Sequence, residues 1–133
     1  VTKEDNNKAE SIMEFLGITH LRNSSMKELS YGQKKLLDLG SVLMADPNYI
    51  LLDEPAAGVN PRLLDTILER IRLLKKQGKT IILVEHNMEL VMGISDTVVV
   101  MAAGKIIAKG TPNDLVKNQN AKTAYFGDSF KFN

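Results

Sequence analysis

Hydrophobic residues in this chain follow two spacings, which predict helices alternating with short strands. In 2–16, 30–46 and 61–77, apolar residues recur every three or four positions, as on one face of a helix. Continuous apolar runs between turn residues, at 49–53 and 80–84, instead predict buried strands. The pattern is completed by a short helix over 88–92, a hairpin of strands 97–101 and 105–109, a short helix beginning at Thr111, and a polar tail over 118–133.

Polar residues at the ends of these segments support the assignment. Thr2 with Asp5, and Ser30 with Gln33, have the spacing of capping boxes, and Asn60 precedes a proline at the first helical position. The aromatic residues of the tail are expected to pack back onto the core; they are Tyr125, Phe126, Phe130 and Phe132.

Residues 49–84 form one strand-helix-strand unit, which predicts two parallel strands joined by a right-handed crossover. The first strand ends in Asp53 and Glu54, and the second is followed by Glu85 and His86. Parallel strands end at the same edge of a sheet, where open α/β sheets bind their ligands. The alternative for the first strand is one that simply leaves the core through a polar turn.

Composition limits the class of protein. The chain has 133 residues, of which 44% are hydrophobic and 25% charged, as expected for a globular domain. A net charge of +1 gives no support to nucleic acid as a partner, and the lack of cysteine excludes disulfides and thiolate metal sites. The longest apolar run, 98–103, is far too short to span a bilayer.

Three segments contain groups suited to binding a nucleoside triphosphate or to acting on it. The helix start at 29–33 offers free N–H groups, a hydroxyl at Ser30 and close backbone approach at Gly32. Asp53 can hold Mg²⁺, Glu54 can orient an attacking water, and His86 can donate to a γ-phosphate.

Each of these segments also has a structural interpretation when taken singly. The helix start can be a plain capping box, and His86 can be an ordinary strand-end histidine. Lys34 and Lys35 are interpreted as a solvated helix face, and His20 as a solvated loop residue. The three segments together, in this order, favour the nucleotide site.

The same segments resemble the motifs of ATP-binding-cassette (ABC) ATPases. Residues 29–33 resemble the signature motif, with Tyr31 where glycine is commoner, and 50–55 resemble the Walker B strand with its catalytic glutamate. Residues 57–60 are similar to the D-loop, and His86 to the switch histidine. The stretches LSYGQKKLLDLG, LLDEPAAGVNP and VEHNMELVMGISD look most like the ATP-binding subunits of branched-chain amino-acid importers.

The resemblance implies a role for each matching residue. Asp53 would support Mg²⁺ through water, Glu54 would polarise the attacking water, and His86 would contact the γ-phosphate of ATP. The signature residues that would bind the nucleotide held by a partner ATPase subunit are Ser30, Gly32 and Gln33. The D-loop residues are Ala57, Gly58 and Asn60, the last where the family often has Asp.

The resemblance also implies an architecture and a location. The fold class would be α/β, a P-loop NTPase-like layered fold that is incomplete, with a mostly parallel sheet, flanking helices and part of a helical subdomain. Residues 1–46 would belong to the helical subdomain, 47–110 to the α/β core and 111–133 to a C-terminal tail. The partners would be a second ATPase subunit and transmembrane permease subunits, at the cytoplasmic face of the cell membrane.

No Gly-x-x-x-x-Gly-Lys-Ser/Thr sequence, the family's Walker A loop, occurs in the 133 residues. We therefore expect the chain to be the C-terminal part of an ATPase domain, and to be inactive alone because most ATP binding depends on that loop. The missing strand would leave a hydrophobic sheet edge exposed, so the isolated chain is expected to aggregate or dimerise.

Alternatives stay open at this point. The chain can be a truncated, non-catalytic module that contributes only its signature helix to a partner. It can also belong to a related exporter, such as the ATPase of lipopolysaccharide export. A DNA-repair or translation ATPase is disfavoured by the near-neutral charge and by the importer-like LLDEPAAGVNP.

Overall fold

The computed structural model of the chain describes residues 2–126, which divide into two compact units between Glu85 and His86. The first unit contains α1 (Lys3–Leu16), α2 (Tyr31–Leu43), β1 (Tyr49–Asp53), α3 (Pro61–Lys76) and β2 (Thr80–Val84). The second contains α4 (Met88–Ile94), β3 (Val98–Ala102), β4 (Lys105–Gly110), α5 (Pro112–Lys117) and α6 (Gln119–Phe126).

The strand-helix-strand unit predicted at 49–84 is confirmed. Strands β1 and β2 pair in parallel, with Ile50 opposite Ile81 and Asp53 opposite Val84, and α3 connects them. This pairing places the carboxyl ends of both strands at one edge of the sheet.

The prediction that these strands are buried is wrong for one face of the sheet. Ile50 is 1% exposed, whereas its neighbour Leu51 is 72% exposed. Because successive side chains of a strand point to opposite faces, the exposed positions share one side. They are Tyr49, Leu51, Ile82 and Val84, which we call the open face. This exposure lies on a face of the sheet, whereas the sequence predicted an exposed edge; that edge and self-association stay predictions.

Local end signals decide where the helices of the first unit begin. Thr2 and Asp5 exchange capping-box hydrogen bonds of 2.7 and 3.1 Å at the start of α1, and Asn60 accepts from the backbone N–H of Leu63 at the start of α3. Helix α1 ends at Gly17, whose φ of 71° is in the left-handed region that glycine adopts easily. The predicted caps at these positions are confirmed.

The second unit is built on the predicted hairpin, which is confirmed to within one residue. Strands β3 and β4 are antiparallel, with a register irregularity between Val100 and Met101. Their two-residue turn has φ values of 48° at Ala103 and 73° at Gly104, the left-handed pair that suits a tight hairpin. Val100 and Leu115, 1% and 2% exposed, form part of its core.

Two segments differ from the sequence prediction. The predicted polar connector after α1 contains a short 3-10 helix, Thr19–Leu21, in which His20 is exposed as expected. The predicted polar tail begins with helix α6. For the aromatic residues expected to pack from the tail, the structure describes only the backbone of Tyr125 and Phe126, and Phe130 and Phe132 lie outside the described residues. Within residues 2–126, no helix has the length and apolar character needed to cross a membrane.

Candidate functional site

The two candidate carboxylates lie where β1 ends. Asp53 is the last residue of the strand, Glu54 follows it, and both are exposed. The backbone N–H of Glu54 donates to the carbonyl of Val84 at 2.9 Å, which extends the pairing with β2 by one residue. The chain then turns sharply, because Glu54 has a φ of 43° and the N–H of Ala57 donates to its carbonyl at 3.0 Å. The backbone of two adjacent acidic residues is thus held by hydrogen bonds at the end of the strand.

The loop that follows, 55–60, is fixed at both ends. Near its start, the N–H of Ala56 donates to Glu85 Oε1 at 2.9 Å, so the acid after β2 holds the loop after β1. Near its end, Gly58 has a φ of 69° and Asn60 caps α3 through its side chain. The candidate D-loop residues Ala57, Gly58 and Asn60 therefore lie on an ordered segment.

Sequence reasoning did not assign a role to Glu85. The signal was present, since Glu85 follows β2 directly, as Glu54 follows the end of β1.

The candidate signature residues lie at the N-terminus of α2. Ser30 and Gln33 form the predicted capping box: the N–H of Ser30 donates to Gln33 Oε1 at 2.9 Å, and the N–H of Gln33 donates to Ser30 Oγ at 3.3 Å. Gly32 is buried, and a Cβ there would lie 1.9 Å from Leu63 Cδ2 of α3. The glycine therefore leaves room for Leu63 against α2, and a Cβ there would require the end of the Leu63 side chain to move, whatever the glycine does toward a ligand.

The interpretation of Lys35 as a solvated side chain is wrong. Its ammonium group donates to the carbonyl oxygens of Glu54 at 2.9 Å and Pro55 at 3.3 Å, and lies 5.4 Å from the centroid of the Tyr31 ring. Lys35 does lie on the polar side of α2, as its spacing in the sequence predicted. The spacing does not show, however, that the loop after β1 lies against that side of the helix.

The remaining candidate, His86, is the first residue of the second unit. It is exposed and is followed by Asn87, whose side chain accepts from the N–H of Leu90 and so caps α4. Its contact with a γ-phosphate stays a prediction.

Among residues 2–126, no cluster of three or more histidine and acidic side chains could by itself hold a metal ion. A magnesium ion at the end of β1 would therefore need ligands besides these residues. Mg²⁺ is commonly bound in this way, by one or two carboxylates together with water and substrate phosphates. The exposed carboxylate of Asp53 fits that requirement.

Comparisons with known proteins define the class. Residues 2–57 match the family model described as ABC transporter. The ADP conformation of MJ1267, an ATP-binding cassette of an ABC transporter, superposes with a TM-score of 0.85 at 36% identity, over 96% of this chain and 52% of that one. The fold is therefore that found in ABC ATPase cassettes, which have the P-loop NTPase architecture, and the chain matches about half of such a cassette.

Sequence comparison shows which kinds of ABC transporter ATPase the chain is similar to. A probable branched-chain amino acid transport ATP-binding protein, LivG of Archaeoglobus fulgidus, is 42% identical over 120 residues, which cover 90% of this chain and 47% of that protein. The lipopolysaccharide export ATP-binding protein LptB of Haemophilus influenzae is 34% identical over 124 residues, which cover 93% and 52%. The chain spans about half the length of these relatives. The resemblance to ABC transporter ATPases noted from the motifs is confirmed.

Proposed function

We propose that this chain is part of the ATP-binding subunit of an ABC transporter, in which ATP binding and hydrolysis drive transport. The main support is the pair Asp53 and Glu54 at the end of a parallel strand, in a chain that superposes on an ATP-binding cassette with a TM-score of 0.85. Carboxylates at such an edge suit phosphoryl transfer, where positioning and charge supply most of the catalysis.

Each candidate residue has a role in this proposal. Asp53 would hold Mg²⁺ through water, Glu54 would accept the hydrogen bond of the attacking water, and His86 would donate to the γ-phosphate. Mg²⁺, when bound, neutralises charge on the phosphates. Residues Ser30, Gly32 and Gln33 would contact ATP held by a second ATPase subunit, and Ala57, Gly58 and Asn60 would face that subunit.

The proposal includes partners and location. The partners are a second ATPase subunit and transmembrane permease subunits, with no nucleic acid, at the cytoplasmic face of the membrane. Residues 1–46 would form part of the helical subdomain, 47–110 part of the catalytic core, and 111–133 a tail.

The proposed transported substrate is a branched-chain amino acid. Support comes from the name of the LivG relative, at 42% identity, and from the motif stretches described above. The LptB relative, at 34% identity, supports lipopolysaccharide export as the second candidate. Uptake of radiolabelled leucine by vesicles containing the whole transporter would support import, and ATP-dependent extraction of lipopolysaccharide would support the second candidate instead.

We further propose that the 133-residue chain neither hydrolyses ATP nor binds it tightly when purified alone, since it contains no Walker A sequence. Measurable Mg²⁺-dependent ATPase activity from the pure chain would contradict this. The coding sequence upstream of Val1 separates two cases: an in-frame Walker A loop indicates an ordinary ATPase subunit, whereas a start codon at that point favours the non-catalytic partner module.

The decisive test of the catalytic role is Glu54→Gln in the protein that contains this chain. We expect kcat for ATP hydrolysis to fall by about 10² to 10³-fold, because the amide is a far weaker acceptor for the water's proton, while ATP affinity is retained. A matched control is Glu14→Gln, an exposed change on α1 that should leave kcat unaltered. Equal activity of the Glu54 variant and the wild type would refute the assignment.

A further inference from the structure

Lys35 joins the first turns of α2 to the loop that follows β1. Its ammonium group donates to the backbone carbonyls of Glu54, at 2.9 Å, and Pro55, at 3.3 Å. An ammonium group has three donors and a full charge, so these bonds are stronger than those between neutral groups. The Lys35 side chain thus joins α2 to two residues that lie 19 and 20 positions further along the sequence.

The conformation held by this contact is an unfavourable one. Glu54 has a φ of 43°, in the left-handed region that a residue with a Cβ seldom adopts. A residue keeps such a conformation only where contacts with the surrounding structure hold it there. Here the N–H of Glu54 donates to Val84 at 2.9 Å, and its carbonyl accepts both from Ala57, at 3.0 Å, and from Lys35.

A second contact links the same helix to the same loop. A Cβ on Gly58 would lie 2.9 Å from Cε1 of Tyr31, so the tyrosine ring closely approaches the loop. The Lys35 ammonium group lies 5.4 Å from the centroid of that ring, within reach of a cation–π interaction. The aromatic ring therefore helps to direct the lysine side chain toward the two carbonyls.

We propose that Lys35 is a positioning residue for Glu54: it fixes the backbone of the strand end and thereby the direction of the carboxylate toward the attacking water. The inference rests on the proposed function, in which Glu54 polarises that water. Lys35 itself touches neither substrate nor water in this account. It acts through the main chain of Glu54 and Pro55.

The test uses Lys35→Met in the protein that contains this chain, since methionine fills similar space without an ammonium group. We expect kcat to fall about ten- to a hundredfold with KM for ATP nearly unchanged, because small displacements of a catalytic group cost up to about that much. Lys35→Arg, which keeps charge and donors, should restore most of kcat. The matched control is Lys34→Met, at the neighbouring lysine, and should behave as the wild type.

A second readout separates the two proposals. The amide of Ala57, which donates to the Glu54 carbonyl, should exchange with deuterium faster in Lys35→Met and at the wild-type rate in Lys35→Arg. If the wild type hydrolyses no ATP, the proposed function fails while this exchange still reports on the loop. An active wild type with unchanged kcat in Lys35→Met, or unchanged exchange of Ala57, would overturn the positioning role.

Discussion

At the scale of single residues, Gly32 shows how one position can serve packing and a candidate binding motif together. It lies on the buried side of α2, and the space a Cβ would take is filled by Leu63 of α3. Overfilling a packed site forces side chains out of their preferred rotamers. The motif glycine is therefore constrained by the fold of its own chain before any ligand is considered.

A double-mutant cycle measures this constraint. Gly32→Ala gains helix propensity, but its methyl group collides with Leu63. The change should therefore lower the free energy of unfolding by about 1–3 kcal/mol more when Leu63 is present than in a protein that carries Leu63→Ala. Chemical denaturation of the four variants gives the coupling. Gly93→Ala, on α4 with no atom within 4 Å of the added Cβ, is the control and should stabilise by roughly 0.5–1 kcal/mol. Additivity of the Gly32 and Leu63 changes would show that the contact is not made.

At the scale of secondary-structure elements, two of the helix caps, those of α1 and α5, contain ionised carboxylates. Hydrogen bonds from the backbone N–H and then the hydroxyl of Thr2 lower the pKa of Asp5. At the start of α5, hydrogen bonds from the hydroxyl and then the backbone N–H of Thr111 lower the pKa of Asp114 in the same way. A carboxyl with a lower pKa in the folded state stabilises the fold above its unfolded-state pKa, and that contribution is lost as the pH falls through the folded-state value.

The caps therefore predict a sign for the pH dependence of stability. As the pH falls from neutral to below the ordinary carboxyl pKa of about 3.9, the wild type should lose more Tm than the variant with Asp5→Asn and Asp114→Asn, because protonation removes the carboxylate acceptors whereas the amides do not titrate. Calorimetric melts over that range are the measurement. Parallel curves for the two proteins would show that these carboxylates do not stabilise the caps.

The elements also show which part of the structure was accessible from sequence. The bounds of strand β2 and the caps at Ser30 and Asn60 were predicted correctly, because apolar runs and capping residues act locally. What was missed involves contacts between distant segments: the bonds from Lys35 to the Glu54 loop and from Ala56 to Glu85. The candidate acids could be named from sequence, but the groups that contact the loop after them could not.

At the scale of the whole molecule, the two faces of the β1–β2 sheet differ in their environment. Ile50 on one face is 1% exposed, and its neighbour Leu51 on the other is 72% exposed. Burial of apolar surface is the main favourable term in folding, so only the first face contributes strongly in this structure. The open face is free to bind apolar surface.

Substitutions at the adjacent positions 50 and 51 compare how much each face of the sheet contributes to stability. Ile50→Ala should cost about 2–5 kcal/mol of unfolding free energy, whereas Leu51→Ala should change it by no more than about 0.5 kcal/mol. On the open face, Leu51→Thr with Ile82→Thr should lower self-association of the chain, as measured by sedimentation velocity over a range of concentrations. A chain that is monomeric at every concentration before these changes would contradict the expected association.

The open face also determines how a cell handles this polypeptide. Exposed apolar surface makes a chain prone to aggregation, which is one reason that cells contain chaperones, and proteases remove chains that do not stay folded. Leu51, Ile82 and Val84 offer such surface on an otherwise folded sheet. We therefore expect the abundance of the chain in a cell to depend on how soon this face is covered by other apolar surface.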